Sequence, residues 1–337
     1  MAVHTDNPRF AAAFLPHGVA KELAPRAGFD PDLEPTLEGI FGGAETLFSA
    51  EAPELPWPYL SLAESSVGSQ YDQVIQMIRD GIPIPDRFAC LAGSGSGFHG
   101  FKGRAWSAVP GNLHLVVHFA PSRPIDRFEV AFTILAALSV VDALAQIDGL
   151  HSNSRIKWIN DVVLGDAKVG GILAYTQSQG HRVSAAVLGI GLNVETVPEV
   201  EPTPFVPSVT SVREFAAGSR AELRAEVLTA LLGALEKNYR TLLEEGLSPL
   251  LERYRNHSMV IGKEVSVHPD TADDASETIV KGRVAAIGDH LELILADRSE
   301  PVTGGRLALH QVTGDVRIGA PGAHEVDVAP AGAKSFC

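Results

Sequence analysis

A chain of 337 residues with 45% hydrophobic and 20% charged side chains can bury a sizeable core and usually divides into two domains. Its 27 basic and 41 acidic residues give a net charge of −14, which argues against a nucleic-acid partner, because neutralising phosphates needs a basic face. Two cysteines, Cys90 and Cys337, are too few for a disulfide framework or a cysteine-based zinc site, and neither a targeting segment nor an uninterrupted apolar span is present, so a cytoplasmic protein outside the membrane is expected.

Residues 1–55 carry Pro and Gly breakers between short apolar pieces such as Phe10 to Leu15 and Leu37 to Phe41, and are expected to be an extension packed on a catalytic domain. They hold no recognition-helix pattern and no basic stripe. Val67 to Ile78 has helical spacing, whereas Phe88 to Ala92 and Leu113 to Phe119 read as strands. Between those strands, five glycines occupy eleven positions from Gly93 to Gly103, with Phe98, Phe101 and Trp106 interleaved or adjacent. Taken alone this is a flexible loop, but such a run also lets backbone N–H groups approach an anion while the aromatic rings exclude water. Phe128 to Ala145 reads as a helix buried against a sheet.

Arg155 to Leu164 and Val169 to Tyr175 read as two antiparallel strands around the turn signal Gly165-Asp166. A two- or four-residue turn sets Val163 opposite Lys168 and Asp161 opposite Gly170, so that Lys157, Asp161 and Lys168 converge on one face, and a three-residue turn would break this. Singly, Lys157 and Lys168 are ordinary solvated cations; their joint spacing with Asn160-Asp161 and Gly170-Gly171 gives them another meaning. The glycine pair marks either a bulge or a close ligand approach. Trp158 is most simply core. A strand at Val183 to Ile190 follows, then a capping box, Ser219-Arg220-Ala221-Glu222, opening an amphipathic helix that ends at Gly246, and a shorter helix from Ser248-Pro249. From about Met259 the chain breaks into short β-type runs, at Val260 to Val267, Ile279 to Ile287 and Leu291 to Leu295, as in a small barrel. The whole predicts an α+β fold, a mixed sheet backed by helices.

Lys157-Trp158-Ile159-Asn160-Asp161, followed at Lys168 by Lys-Val-Gly-Gly-Ile-Leu, resembles the lysine-tryptophan-proline-asparagine-aspartate signature and second lysine of biotin protein ligases, with Ile159 in place of the proline. The resemblance extends over roughly residues 57 to 310: Glu64-Ser65-Ser66, Gly103-Arg104-Ala105-Trp106, Pro110-Gly111-Asn112-Leu113, Gly189-Ile190-Gly191-Leu192-Asn193 and Thr210-Ser211-Val212 fall in the family's order. It implies a catalytic domain over 56–258, an SH3-like β-barrel over 259–314 closed near Gly304-Gly305, and a loose tail over 315–337. The chain departs from the family where Gly93-Ser94-Gly95-Ser96 replaces a glycine-arginine-glycine-arginine run, and an arginine fork is not replaced by serine.

The activity that the resemblance implies is ATP-dependent ligation of biotin, with Mg²⁺, to a lysine of the biotin carboxyl-carrier domain of a carboxylase, by a protein that dimerises in many relatives. On the same basis Lys168, Asp161 and Arg104 are the catalytic candidates. Ser65 and Ser66 would meet the biotin head group. Gly93, Ser94, Gly95, Ser96, Lys102, Trp106, Asn112, Lys157, Asn160, Gly170, Gly171 and Asn193 would hold biotin or the adenylate. Two alternatives stay open: a lipoate or octanoate ligase on the same fold, and a non-catalytic acyl-ligand-binding regulator.

Overall fold

The computed structural model describes residues 1–25, 30–42, 44–53, 55–151, 153–218, 220–272 and 275–310. In chain order the elements are β1 (Ala2–Thr5), α1 (Pro8–Ala11), α2 (His17–Glu22), β2 (Ala24–Pro25), α3 (Glu34–Phe41), β3 (Phe48–Glu51), β4 (Tyr59–Ala63), α4 (Gln70–Arg79), β5 (Phe88–Ala92), β6 (Leu113–Phe119), β7 (Arg123–Pro124), α5 (Phe128–Leu144), β8 (Ser154–Lys157), β9 (Asp161–Leu164), β10 (Ala167–Gln179), β11 (Arg182–Leu192), α6 (Leu223–Glu244), α7 (Ser248–Asn256), β12 (Glu264–His268), β13 (Val280–Ile287), β14 (Leu293–Leu295) and β15 (Arg306–Leu309). Strands β1 to β11 form one mixed sheet in the order β2-β3-β1-β4-β5-β6-β11-β10-β9-β8, with β7 on the side of β11. Residues 1–51 thus supply three strands, β1 pairing with β4 in parallel and with β3 antiparallel.

Both faces of the central strands are covered, which is why β5 is a continuous apolar run and β6 is apolar but for two histidines. On β6, Leu113, Leu115 and Val117 join the core against α5, while Val116, with Phe88 and Cys90 of β5, packs on the α3 and α4 side. Alternation puts His114 and His118 on that second side as well. Helix α5 is buried nearly all round because the sheet covers one flank and α6 and α7 the other. Among the described residues no helix is long and apolar enough to cross a membrane.

Several boundaries differ from the sequence reading. Helix α4 begins at Gln70, not Val67, which is 96% exposed: the segment before it is held by the Gly-rich loop, through the Ser66 N–H to the Ser94 carbonyl (3.0 Å) and the Ser66–Gly95 bridge. Helix α6 begins at Leu223 with no side-chain cap bond at Glu222, Ser219 of the expected capping box lying outside the described residues. The expected SH3-like barrel is an open four-stranded sheet, β14-β13-β12-β15. Its outer strand β14 has three residues, too short to return to β15. The tail expected over 315–337 lies outside the described residues.

One buried polar network ties the three backing helices together. The fully buried Asn238 of α6 donates to Ser139 Oγ (3.0 Å) and Asp142 Oδ2 (2.9 Å) of α5 and accepts from Arg253 Nη1 of α7 (2.8 Å), while Arg253 Nη2 donates to Asp142 (2.6 Å). Replacing Asn238 with Leu removes three hydrogen bonds while Ser139 keeps Leu135 and Arg253 keeps Asp142, so urea unfolding of Asn238→Leu is expected to show a loss of about 1–3 kcal/mol; an unchanged midpoint would mean that these bonds add nothing.

Candidate active site

Register across the sheet builds the site. Ala92 of β5 faces His114 of β6, His114 faces Gly191 of β11, Gly191 faces Gly171 of β10, Gly171 faces Asp161 of β9, and Asp161 faces Lys157 of β8. Facing residues in antiparallel ladders project to the same side, so these six form one row on one face. The two glycines leave its middle without side chains, a shallow floor flanked by an imidazole on one side and charged groups on the other.

The two-residue turn at Gly165-Asp166 sets Lys168 opposite Val163, but a register shift between Lys168 and Gly170 puts Gly171, rather than the expected Gly170, opposite Asp161. The extra residue is accommodated because Lys168 turns its backbone to a different partner: its N–H donates to the Ser208 carbonyl (3.0 Å) and its carbonyl accepts from Thr210 N–H (2.9 Å). The bulge brings Lys168 and Gly171 to one face, where Lys168 Nζ meets Asp161 Oδ1 at 2.6 Å with both side chains about one-fifth exposed (21%). The glycine pair lies at a bulge, and a Cβ at Gly171 would meet the Trp106 ring at 3.4 Å.

Lys157 is buried behind this pair, with Nζ donating to the Phe205 carbonyl. Burial lowers its pKa to about 8, Lys168 and Arg306 push the same way, and Asp161 opposes. It lines a smaller cavity of about 50 Å³ that Asp161 and Lys168 share, rather than the main one.

The main cavity, about 240 Å³, opens above the glycine floor, and the loop between β5 and β6 covers it. Trp106 lies on the floor. Its ring comes within 2.5 Å of where a Cβ of Gly191 would stand, and Lys168 Nζ is 5.6 Å from its centroid. Arg104 lines the cavity with Nη1 buried and without a partner. His99 fastens the loop to α4 through Asp72 (2.9 Å); burial works against its protonated form, but the bonds to the Gly100 carbonyl and Asp72 outweigh it and raise the pKa. Lys102, in a left-handed conformation (φ 59°), turns outward to Asp270 of the C-terminal sheet (3.7 Å).

Of the residues singled out from the sequence, Lys168, Asp161, Arg104, Trp106, Asn160, Gly171 and Asn193 line the main cavity. Ser65, Ser66, Gly93, Ser94, Gly95, Ser96, Lys102, Asn112, Lys157 and Gly170 do not. Ser65 is exposed and Ser66 Oγ donates to the Gly68 carbonyl (2.7 Å), while Ser96 Oγ donates to the Val67 carbonyl (3.2 Å), so the two segments brace each other beside the cavity. Asn112 is a clamp: its Oδ1 accepts from Val194 N–H (2.9 Å) and Thr196 N–H (3.1 Å) and its Nδ2 donates to the Thr196 carbonyl (2.9 Å). Asn160 and Asn193 also spend their amides on backbone, donating to the Ile172 (2.6 Å) and Thr210 (3.0 Å) carbonyls.

Ser69, Tyr71, His114 and Arg306, none of them a site candidate from the sequence, also line the cavity. His114 carries a legible signal, a polar residue in an apolar alternating strand. Arg306 carries none: it arrives from β15, with its guanidinium 4.0 Å above the Phe205 ring and donating to the Ala272 carbonyl.

Residues 84–193, which span β5, the covering loop, β6, α5 and the hairpin through β11, match the model of the biotin/lipoate A/B protein ligase family. Over that stretch the chain is similar to the biotin/lipoate ligase domain. It is 29% identical over 179 residues to the bifunctional ligase/repressor BirA of Bacillus subtilis, covering 53% of this chain and 54% of that protein, and 29% identical over 196 residues to the biotin–[acetyl-CoA-carboxylase] ligase of Paracoccus denitrificans, covering 54% and 79%. The chain thus spans about half the length of the BirA relative (54%). In fold it is similar to the biotin protein ligase of Aquifex aeolicus solved with biotin and ATP, at a TM-score of 0.57 and 18% identity over 76% of this chain and 100% of that one.

Two outcomes follow from the geometry of this site. A Cβ at Gly191 cannot coexist with the Trp106 ring, so Gly191→Ala should expel the indole from the floor, seen as red-shifted tryptophan emission with a stability loss of about 1–3 kcal/mol; emission like that of the parent would mean the ring does not rest there. For Lys157, the unfolded chain binds a proton between about 8 and 10.5 that the folded chain does not, so stability rises with pH across that window. Urea unfolding of Lys157→Met should lack that rise, and an equal slope in both proteins would contradict the burial of its charge.

Proposed function

We propose that this chain is an ATP-dependent biotin–protein ligase, forming biotinyl-AMP in the main cavity and passing the biotinyl group to a lysine of the biotin carboxyl-carrier domain of a carboxylase. The observation that carries the reading is Lys168 beside a side-chain-free floor, held by Asp161, with Arg104 and Arg306 as further cations on the same cavity wall. In the first step a biotin carboxylate oxygen attacks the α-phosphorus of ATP and pyrophosphate leaves. Both reactants are anions, so the barrier is largely electrostatic, and fixed cations in a water-poor site lower it. Lys168 takes the reacting carboxylate and α-phosphate, while Arg104 and Arg306 carry the phosphate load that the family's loop arginines would otherwise bear. Mg²⁺ would come with the triphosphate: among the described residues no three His, Cys, Asp or Glu side chains gather into a cage.

In the second step the carrier lysine, as a neutral amine, attacks the acyl carbon and AMP leaves with the bonding electrons. Asp161 is the carboxylate placed to orient that amine or take its proton. The aromatic loop, Phe98 to Trp106, keeps water from the mixed anhydride. The C-terminal sheet stands, on this reading, for the SH3-like module of the family and contributes Arg306. The test is pyrophosphate exchange with biotin, lipoate and octanoate. Lys168→Ala should lose about 10³-fold or more in exchange with biotin, and Arg104→Ala or Arg306→Ala about tenfold each, at unchanged melting temperature. Full exchange by Lys168→Ala would remove the lysine from the mechanism, and silence of the parent with all three acids would make the cavity a binding site only.

A further inference from the structure

His114 is 4% exposed and lines the main cavity, yet only one of its ring nitrogens is used. Nδ1 lies 3.1 Å from the Ala92 carbonyl, which can only accept, so Nδ1 carries the proton. Burial holds the ring below the usual histidine pKa and therefore neutral. Nε2 is then a buried acceptor with no partner. Phe98 stands against the ring at 5.4 Å and shields it from water. A second orphan lies close by: Trp106 Nε1, also buried and unpartnered, is 2.9 Å from where a Cβ of Gly191 would stand, and Gly191 is the cross-strand neighbour of His114. An acceptor and a donor, both desolvated and both unfilled, flank one bare glycine. Buried groups of this kind are costly unless something completes them, and what completes them must offer a hydrogen-bond donor and an acceptor together.

We propose that His114 is a specificity-determining residue whose Nε2 accepts a hydrogen bond from a ring N–H of the ligand's cyclic urea. The proposal rests on the biotin reading, since a urea carries an N–H for His114 and a carbonyl for the Trp106 indole, whereas the dithiolane of lipoate and the chain end of octanoate carry neither. It also explains why a site whose Ser65 and Ser66 point elsewhere can recognise a polar head group.

The two nitrogens can be tested separately. Asn offers an N–H near Nδ1 and so keeps the bond to Ala92, but has nothing at Nε2. Gln places an amide oxygen near Nε2 and gives up the bond to Ala92. In biotin-dependent pyrophosphate exchange by the full chain, His114→Asn should raise the KM for biotin about 10- to 100-fold with kcat and the KM for ATP within about threefold, and should melt like the parent. His114→Gln should keep the KM for biotin within about threefold while melting earlier. The reverse order, with Gln impaired for biotin and Asn normal, would make the ring a purely structural strut and overturn the proposal, as would a parallel rise in the KM for ATP. A parent protein that exchanges with biotin beside an unaffected His114→Asn refutes this assignment alone. A parent that shows no exchange with biotin refutes it together with the ligase reading.

Discussion

The close approach of an indole ring to two backbone positions without side chains is the constraint on which the site depends. Gly191 and Gly171 face each other across β10 and β11, and the row they belong to runs from Ala92 to Lys157 through six strands. Because facing residues share a side, placing the glycines also places His114 at one end of the floor and Asp161 at the other. Lys168 shares the face of Asp161 through its pairing with Val163, and a single extra residue at Val169 then decides that Gly171, not Gly170, joins them. Without the bulge, Lys168 and Gly171 would lie on opposite faces, since side chains alternate along a strand. With it, the lysine reaches both the carboxylate and the indole.

The charges around that floor come from distant parts of the chain. Lys168 and Asp161 belong to the hairpin, Arg104 to the covering loop and Arg306 to the C-terminal sheet. Trp158, on the turn between β8 and β9, donates its indole N–H to the Leu291 carbonyl, and Lys102 reaches Asp270, so the hairpin and the loop are both fastened to the C-terminal unit. The Asp270 contact is exposed and adds little stability by itself. Its consequence is positional, since it holds the loop's outer turn near the element that delivers Arg306. The serines that stand where the family has arginines brace the loop on the 64–67 segment, and the positive charge at the cavity wall is supplied from elsewhere.

Local features were legible in the sequence and long-range ones were not. Strand Phe88–Ala92 is a continuous apolar run and Leu113–Phe119 is apolar but for His114 and His118, and both form over those residues because a sheet covered on both faces is built mainly of apolar side chains. The Gly165-Asp166 turn, the lysine spacing and the Gly-rich loop likewise carry their meaning within a few residues. The bulge does not: it exists because residues 208–210 compete for the Lys168 backbone, a pairing across about forty residues. The same holds for β1, four residues among breakers that become a strand only because β3 and β4 lie on either side. Ser69, not Ser65 or Ser66, reaches the cavity because α4 starts later than its periodicity implies.

A crystal structure of the chain with a hydrolysis-resistant biotinyl-adenylate analogue would show directly what the glycine floor holds. The acyl chain is expected across Gly171 and Gly191, with the Trp106 ring lifted from the floor to lie over it and the linkage that replaces the acyl phosphate within about 3 Å of Lys168 Nζ. An analogue bound away from the glycine floor, or bound there with Lys168 still directed only at Asp161, would contradict that arrangement.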